Sequence, residues 1–254
     1  MRTKALARFL YGNVPGLAAA RFAAKDLAAP YLPKREFWGV SQFSFGSGLI
    51  VDVGANRGQS IQAFRRFAPG CRIVAFEPEP KCAAQLHARH HQDPAITLYH
   101  CALGSSAGGL TFYVPKYGQW DCDGMSATDY QSATEWLRDP GRMLFFDEAK
   151  LSVREHSVEC KQLDSFGLAP CLVKLHAQGA ELDILKGSQT TIEQHRPAVM
   201  AAFPSAAVNA LLTTWRYRPY QYRNGCFAPG IAESPRTFTW YLAEYHLDGI
   251  SARG

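Results

Sequence analysis

Residues 49–60 read LIVDVGANRGQS, and residues 71–78 read CRIVAFEP. Each opens on a short apolar run of the kind that forms a strand buried on both faces. The first run stops at Gly54, and the second stops at Glu77. Between them, Ile61, Phe64 and Phe67 fall at helical spacing, with Arg65 and Arg66 turned away, which predicts a helix over 58–68. Strand, glycine turn, helix, strand is the start of a parallel sheet with crossover helices.

The rhythm continues outward. A second helix is expected over 79–91, and strands at ITLYHC (96–101), LTFYV (110–114), CLVKLH (171–176) and AVMAAF (198–203). Leu182, Ile184, Leu185 and Ile192 predict a helix from Ala180 to about His195, stopped by Pro197. Strands near 217–223 and 237–243 around a glycine-containing turn predict a terminal β-hairpin. The fold class is therefore α/β, a Rossmann-like and mostly parallel seven-stranded sheet with helices on both faces. Residues 1–45, Ala-rich and broken by Pro15, Pro30 and Pro33, read as an N-terminal helical extension to a domain over 46–254. The stretch 115–150 fits none of this rhythm and carries Tyr117, Trp120, Tyr130, Trp136, Phe145 and Phe146, so it reads as an insertion that binds an acceptor or packs on itself.

At 254 residues, with 47% apolar and 19% charged, the chain can bury a substantial core. No apolar run reaches the roughly 18 residues of a spanning helix. Arg8, Arg21 and Lys25 interrupt the early apolar stretches, so a secretory signal is not expected. Seven cysteines without C-x-x-C spacing predict buried thiols in a reducing cytoplasm, not a disulfide framework or zinc site. The net charge of +5 resides in residues 1–36, leaving the rest formally neutral. That distribution argues against a nucleic-acid-binding face. It allows weak association of the basic segment with an anionic membrane surface, or packing of its helices on the domain or on a second copy.

The turn Gly54-Ala55-Asn56-Arg57-Gly58 places backbone N–H groups at a helix N-terminus, where glycine permits close approach of a ligand. Such a ligand lies across the carboxyl ends of the strands. Glu77, at the end of the second strand, is placed to accept both hydroxyls of a ribose. The loop lacks the G-x-G-x-x-G spacing of a pyrophosphate site, and Asp52 ahead of it suits a methionine amino and carboxylate group. S-adenosylmethionine is therefore expected over a nicotinamide cofactor.

VDVGANRGQS, VAFEPEP, HCALGS, QLDSF and KLHAQGAELDILKGS, followed by IEQHRPAVM, together resemble the FkbM family of S-adenosylmethionine-dependent methyltransferases, in order from about residue 49 to 203. The resemblance implies a class I methyltransferase that methylates a hydroxyl on a sugar, glycan precursor or secondary metabolite. It places Asp52, Gly54, Ala55, Asn56 and Gly58 at the methionine end, Glu77 at the ribose, and Ala102 and Leu103 beside adenine. Ser126, in GMSAT, corresponds to a serine on the acceptor side, and Asp164 to an acidic residue after a strand.

Two positions depart from the family pattern. Where members carry aspartate this chain has His176, and where many carry glutamate it has Ala202. His176 is then the candidate general base, since a neutral imidazole can take a hydroxyl proton; otherwise it is a structural histidine in a protein that binds the cofactor without catalysis. Trp120, Trp136, Ser126 and Lys174 are the candidate acceptor-binding residues, with Lys174 alternatively in a buried ion pair. Glu181 reads as a helix-dipole partner. His87 and His91 have i, i+4 spacing but no evident third ligand, so no metal is expected.

Overall fold

The computed structural model describes residues 2–232 and 238–251. In chain order the elements are α1 (Arg2–Asn13), α2 (Leu17–Ala28), β1 (Leu49–Val53), α3 (Gln59–Phe67), β2 (Arg72–Phe76), α4 (Pro80–His90) and β3 (Ile96–Tyr99). There follow β4 (Ala102–Leu103), β5 (Gly108–Tyr117), β6 (Trp120–Asp121), α5 (Tyr130–Arg138), β7 (Leu151–Lys161) and β8 (Leu172–Leu175). The last part comprises α6 (Glu181–Lys186), α7 (Gln189–His195), β9 (Ala198–Ala202), α8 (Ala206–Thr214), β10 (Arg218–Arg223), β11 (Cys226–Pro229), β12 (Phe238–Leu242) and α9 (Glu244–Ser251).

The main sheet has the order β11-β10-β12-β9-β8-β1-β2-β3. β1 pairs in parallel with β2 on one side and β8 on the other, and β2–β3 and β8–β9 are parallel too. Every residue of β1, β8 and β9 is buried, which accounts for their near-continuous apolar sequences. The exceptions, Asp52 and Lys174, are register partners on adjacent strands and form an ion pair at 2.9 Å. The strand order reverses between β1 and β8, and a crevice opens there at their carboxyl ends.

Eight strands, not seven, form this sheet among the described residues. The tight turn at Asn224 and Gly225, both at positive φ, joins β10 to the additional strand β11. β10 does pair antiparallel with β12, as expected of 217–223 and 237–243, but on its other edge and without a tight turn between them. Thr237, the expected first residue of that last strand, lies outside the described residues. The helix expected over 180–195 is two helices, broken at Gly187, where a side chain would strike the Gly104 carbonyl.

A second sheet, β4-β7-β5-β6, stands beside the first. Its backbone is the long antiparallel pair β5–β7, from Gly108 opposite Cys160 to Tyr117 opposite Leu151. The stretch 115–150 is thus the closing end of a β-hairpin, and β7 carries no strand signal in the sequence because its residues alternate without an apolar run. α1 and α2 pack on this end: Tyr11, Ala18, Tyr117, Trp120, Trp136 and Leu137 share one apolar cluster. Gly118 approaches Gly12 so closely that a Cβ would meet its carbonyl oxygen. A 3-10 turn over Arg35–Gln42 then inserts Phe37 and Val40 into the main core, with Phe37 against Phe64 and Phe238. The N-terminal segment therefore takes part in both cores.

Candidate active site

Gly54 follows β1 in a left-handed conformation, φ 73°, and a Cβ there would lie 2.1 Å from the His176 carbonyl oxygen. Only glycine lets the loop pass this close to the end of β8. Beneath the loop, Lys174 donates to the carbonyls of Gly54 (2.7 Å) and Val53 (3.1 Å), while the Ser60 hydroxyl donates to Asp52 at 2.5 Å. Asp52 and Lys174 are almost fully buried. A buried charge persists where it is paired and hydrogen-bonded, and here both conditions are met. The ion pair clamps the start of the loop.

Glu77 lies across from the loop. One carboxylate oxygen accepts the Asn56 N–H at 2.6 Å and the other accepts the Glu79 N–H at 2.9 Å. Burial pushes this carboxyl up to about 7, against those two N–H groups and the Lys174 charge, which lower it. Its neighbour Glu79 caps α4 through the Cys82 N–H.

These groups open onto a cavity of about 460 Å³. Gly54, Ala55, Asn56, Glu77, Ala102 and Leu103 line one part of it, and Trp120, Ser126, Lys174 and His176 another. Ten of the residues singled out from sequence thus meet at one site. Three do not line it. Asp52 is buried under the loop, Gly58 packs toward Leu86, and Trp136 lies in the helical cluster with its indole N–H bonded to the Ala133 carbonyl and its ring against Trp120. Of the acceptor-side pair, only Trp120 reaches the cavity. Ala202 is buried in β9 and does not line it either.

His176 extends from the end of β8, with its ring near those of Phe203 and Phe238. Desolvation, then Lys174 and Lys34, lower its pKa to about 3. The imidazole is neutral throughout the physiological range. Glu181 accepts the N–H groups of Ala177 and Gly179 and so fixes the loop that follows His176. Asp164 accepts the N–H groups of Thr190 and Thr191 at the start of α7, a capping role, and does not line the cavity. His87 and His91 stack on each other, and no group of three or more potential metal ligands occurs among the described residues.

The methyltransferase FkbM domain, as a family model, matches residues 52–220, more than half of the chain. The chain belongs to the FkbM methyltransferase family. It is 26% identical over 160 residues to the 2-O-methyltransferase NoeI of Sinorhizobium fredii, covering 58% of this chain and 60% of that protein. Methyltransferase 1 of Beauveria bassiana is 27% identical over 149 residues, 55% of this chain and 57% of the relative. The similarity spans less than two thirds of the length of both relatives. The crystal structure of methyltransferase FkbM from Methylobacillus flagellatus shares the fold, with a TM-score of 0.50 at 17% identity, over 84% of this chain and 49% of that one.

Membership in the FkbM family implies S-adenosylmethionine as the methyl donor, and the residues present fit it. Each Glu77 oxygen holds one backbone N–H and keeps a lone pair for a ribose hydroxyl. The glycine loop leaves no room for a side chain at Gly54, and the cavity volume lies in the range of small-molecule sites.

The FkbM motifs do not extend to the N-terminal segment, yet Phe22, Lys25, Lys34, Glu36 and Phe37 all line the cavity. Asp26 of α2 binds Arg57 of the glycine loop at 2.9 Å and Arg89 of α4 at 3.5 Å, with the Asp26 and Arg57 side chains largely buried. Sequence reasoning missed these contributions, because nothing in the local pattern of an Ala-rich helix tells which surface it will cover. The signal available was Phe22, Lys25 and Asp26 breaking the run of alanines.

Proposed function

We propose that this protein transfers the methyl group of S-adenosylmethionine to a hydroxyl of a sugar or sugar-like acceptor. The observation that carries the reading is the single cavity that joins the glycine loop and Glu77 to a second wall built from Trp120, Ser126, His176 and the 22–37 segment. In this reading Gly54, Ala55 and Asn56 hold the methionine end, Glu77 takes the ribose hydroxyls, and Ala102 and Leu103 flank adenine. Asp52 and Gly58 shape the loop from behind. The Trp120 side chain is the apolar surface against which a sugar's C–H groups would pack, and Ser126 stands at the same wall. The 2-O-methyltransferase named among the relatives supports oxygen as the accepting atom.

When bound, the cofactor supplies an electrophilic methyl on a sulfonium. The protein's part is positioning and proton management: the acceptor oxygen must be held in line with the methyl–sulfur bond. A neutral His176 at the end of β8 can accept a hydrogen bond from the hydroxyl. With its pKa near 3 it is a poor base for a free alcohol. It suffices to take the proton late, once bonding to the methyl has made the oxygen strongly acidic. Mass spectrometry of free sugars and glycosides incubated with protein and S-adenosylmethionine tests this, a single added methyl being the expected product.

The weak basicity of His176 also favours a second reading, a protein that binds S-adenosylmethionine without turnover. Calorimetric binding of the cofactor, with no methylated product and no acceptor-dependent S-adenosylhomocysteine across the panel, would support it.

A further inference from the structure

We infer that residues 27–38 form a docking tip for an anionic lipid surface at the rim of the cavity. Leu27, Tyr31 and Leu32 are 76%, 77% and 75% exposed, and Trp38 is 45% exposed. Single exposed apolar residues are ordinary, but four large ones within twelve positions of one segment call for a partner. Lys25, Lys34 and Arg35 flank them, and the Arg35 guanidinium lies over the Trp38 ring at 5.8 Å. Of the nearby acids, Asp26 is engaged by Arg57 and Arg89, while Glu36 pairs with Lys34 at 3.4 Å and offsets that one cation.

Leucine, tyrosine and tryptophan ringed by basic residues suit the boundary between lipid headgroups and acyl chains. A second copy of the chain fits less well. A two-fold contact would set two copies of the same net-positive segment against each other, a repulsion that an anionic surface does not present. The docking is shallow, since no helix among the described residues is long and apolar enough to cross a membrane. Lys25, Lys34, Glu36 and Phe37 line the cavity from the same segment, so docking would bring its rim to the lipid surface.

Sedimentation of the full chain with vesicles tests the inference without relying on activity. The protein should pellet with phosphatidylcholine vesicles that contain phosphatidylglycerol and stay in the supernatant with phosphatidylcholine alone. Raising the salt concentration should release it. Arg35→Ala should weaken binding about five-fold, and Leu27→Ser with Leu32→Ser about ten-fold or more. Both variants change exposed positions, and an unaltered thermal midpoint would verify their folding. Failure to pellet with anionic vesicles at low salt, or equal binding by the folded variants, would overturn the inference. So would a concentration-dependent dimer that the leucine variant abolishes, which would assign the tip to a second copy.

Discussion

Glu77 and His176 are both shifted by burial, in opposite directions and with different consequences. Glu77 titrates at about 7 in the free protein, and hydroxyl donors favour its charged form. Cofactor affinity is therefore expected to rise between pH 6 and pH 8. Glu77→Gln should lose about 10- to 100-fold in affinity, the worth of a hydrogen bond to a charged group, and should lose the pH dependence as well; calorimetry across that range checks both. His176, held near 3, has no titration to contribute at neutral pH. With saturating cofactor, kcat/KM for the acceptor should show no inflection near 6.5. His176→Ala should lower turnover while leaving the cofactor Kd within a few-fold, and an unchanged kcat would remove His176 from the reaction.

At the scale of elements, the strand-to-helix turn and the β5–β7 hairpin make separable demands. Gly54→Ala meets both a positive φ and the His176 carbonyl. It should destabilise by about 3 kcal/mol or more, visible in urea denaturation. The two tryptophans of the hairpin end touch each other but face different surroundings. Trp136→Ala should cost about 3–5 kcal/mol of stability as a core truncation. Trp120→Ala, in the same cluster, should also cost stability, and in addition should raise the acceptor KM more than the cofactor Kd, since Trp120 alone of the pair lines the cavity. An equal effect of the two on KM would contradict this division. The glycine turn was legible from sequence because its φ and its neighbours are local. The roles of the two tryptophans were not, because which ring lines the cavity depends on how α5 and β6 pack in the tertiary cluster they share with α1.

For the molecule as a whole, stability should fall as pH drops from about 6.5 toward 4.5. His176 and His246 have pKa values lowered to about 3 and about 4, so in this range the unfolded chain takes up two protons that the native protein does not. Glu77 acts oppositely: raised to about 7, it favours the native state below 4.5 and loses that contribution as pH rises through 7. His90, also lowered, adds to the histidine side. The balance grows from a small fraction of a proton at pH 6.5 to about one proton near pH 5, where the slope is about 1.4 kcal/mol per pH unit. Denaturant titrations at pH 7, 6 and 5 check the slope, and His246→Asn should reduce it.

The sequence by itself determined the parallel sheet, the glycine loop, Glu77 and the family, because strand burial and tight turns are written in runs of a few residues. It also located His176, since the end of a parallel strand is where such a sheet presents its chemistry. Tertiary structure alone decided that Asp52 and Lys174 pair beneath the loop, a consequence of strand register. It alone showed that the N-terminal segment lines the cavity and that 115–150 belongs to a long hairpin. Those contacts join residues far apart in the chain, and the local pattern of side chains carries no record of which distant surface they will meet.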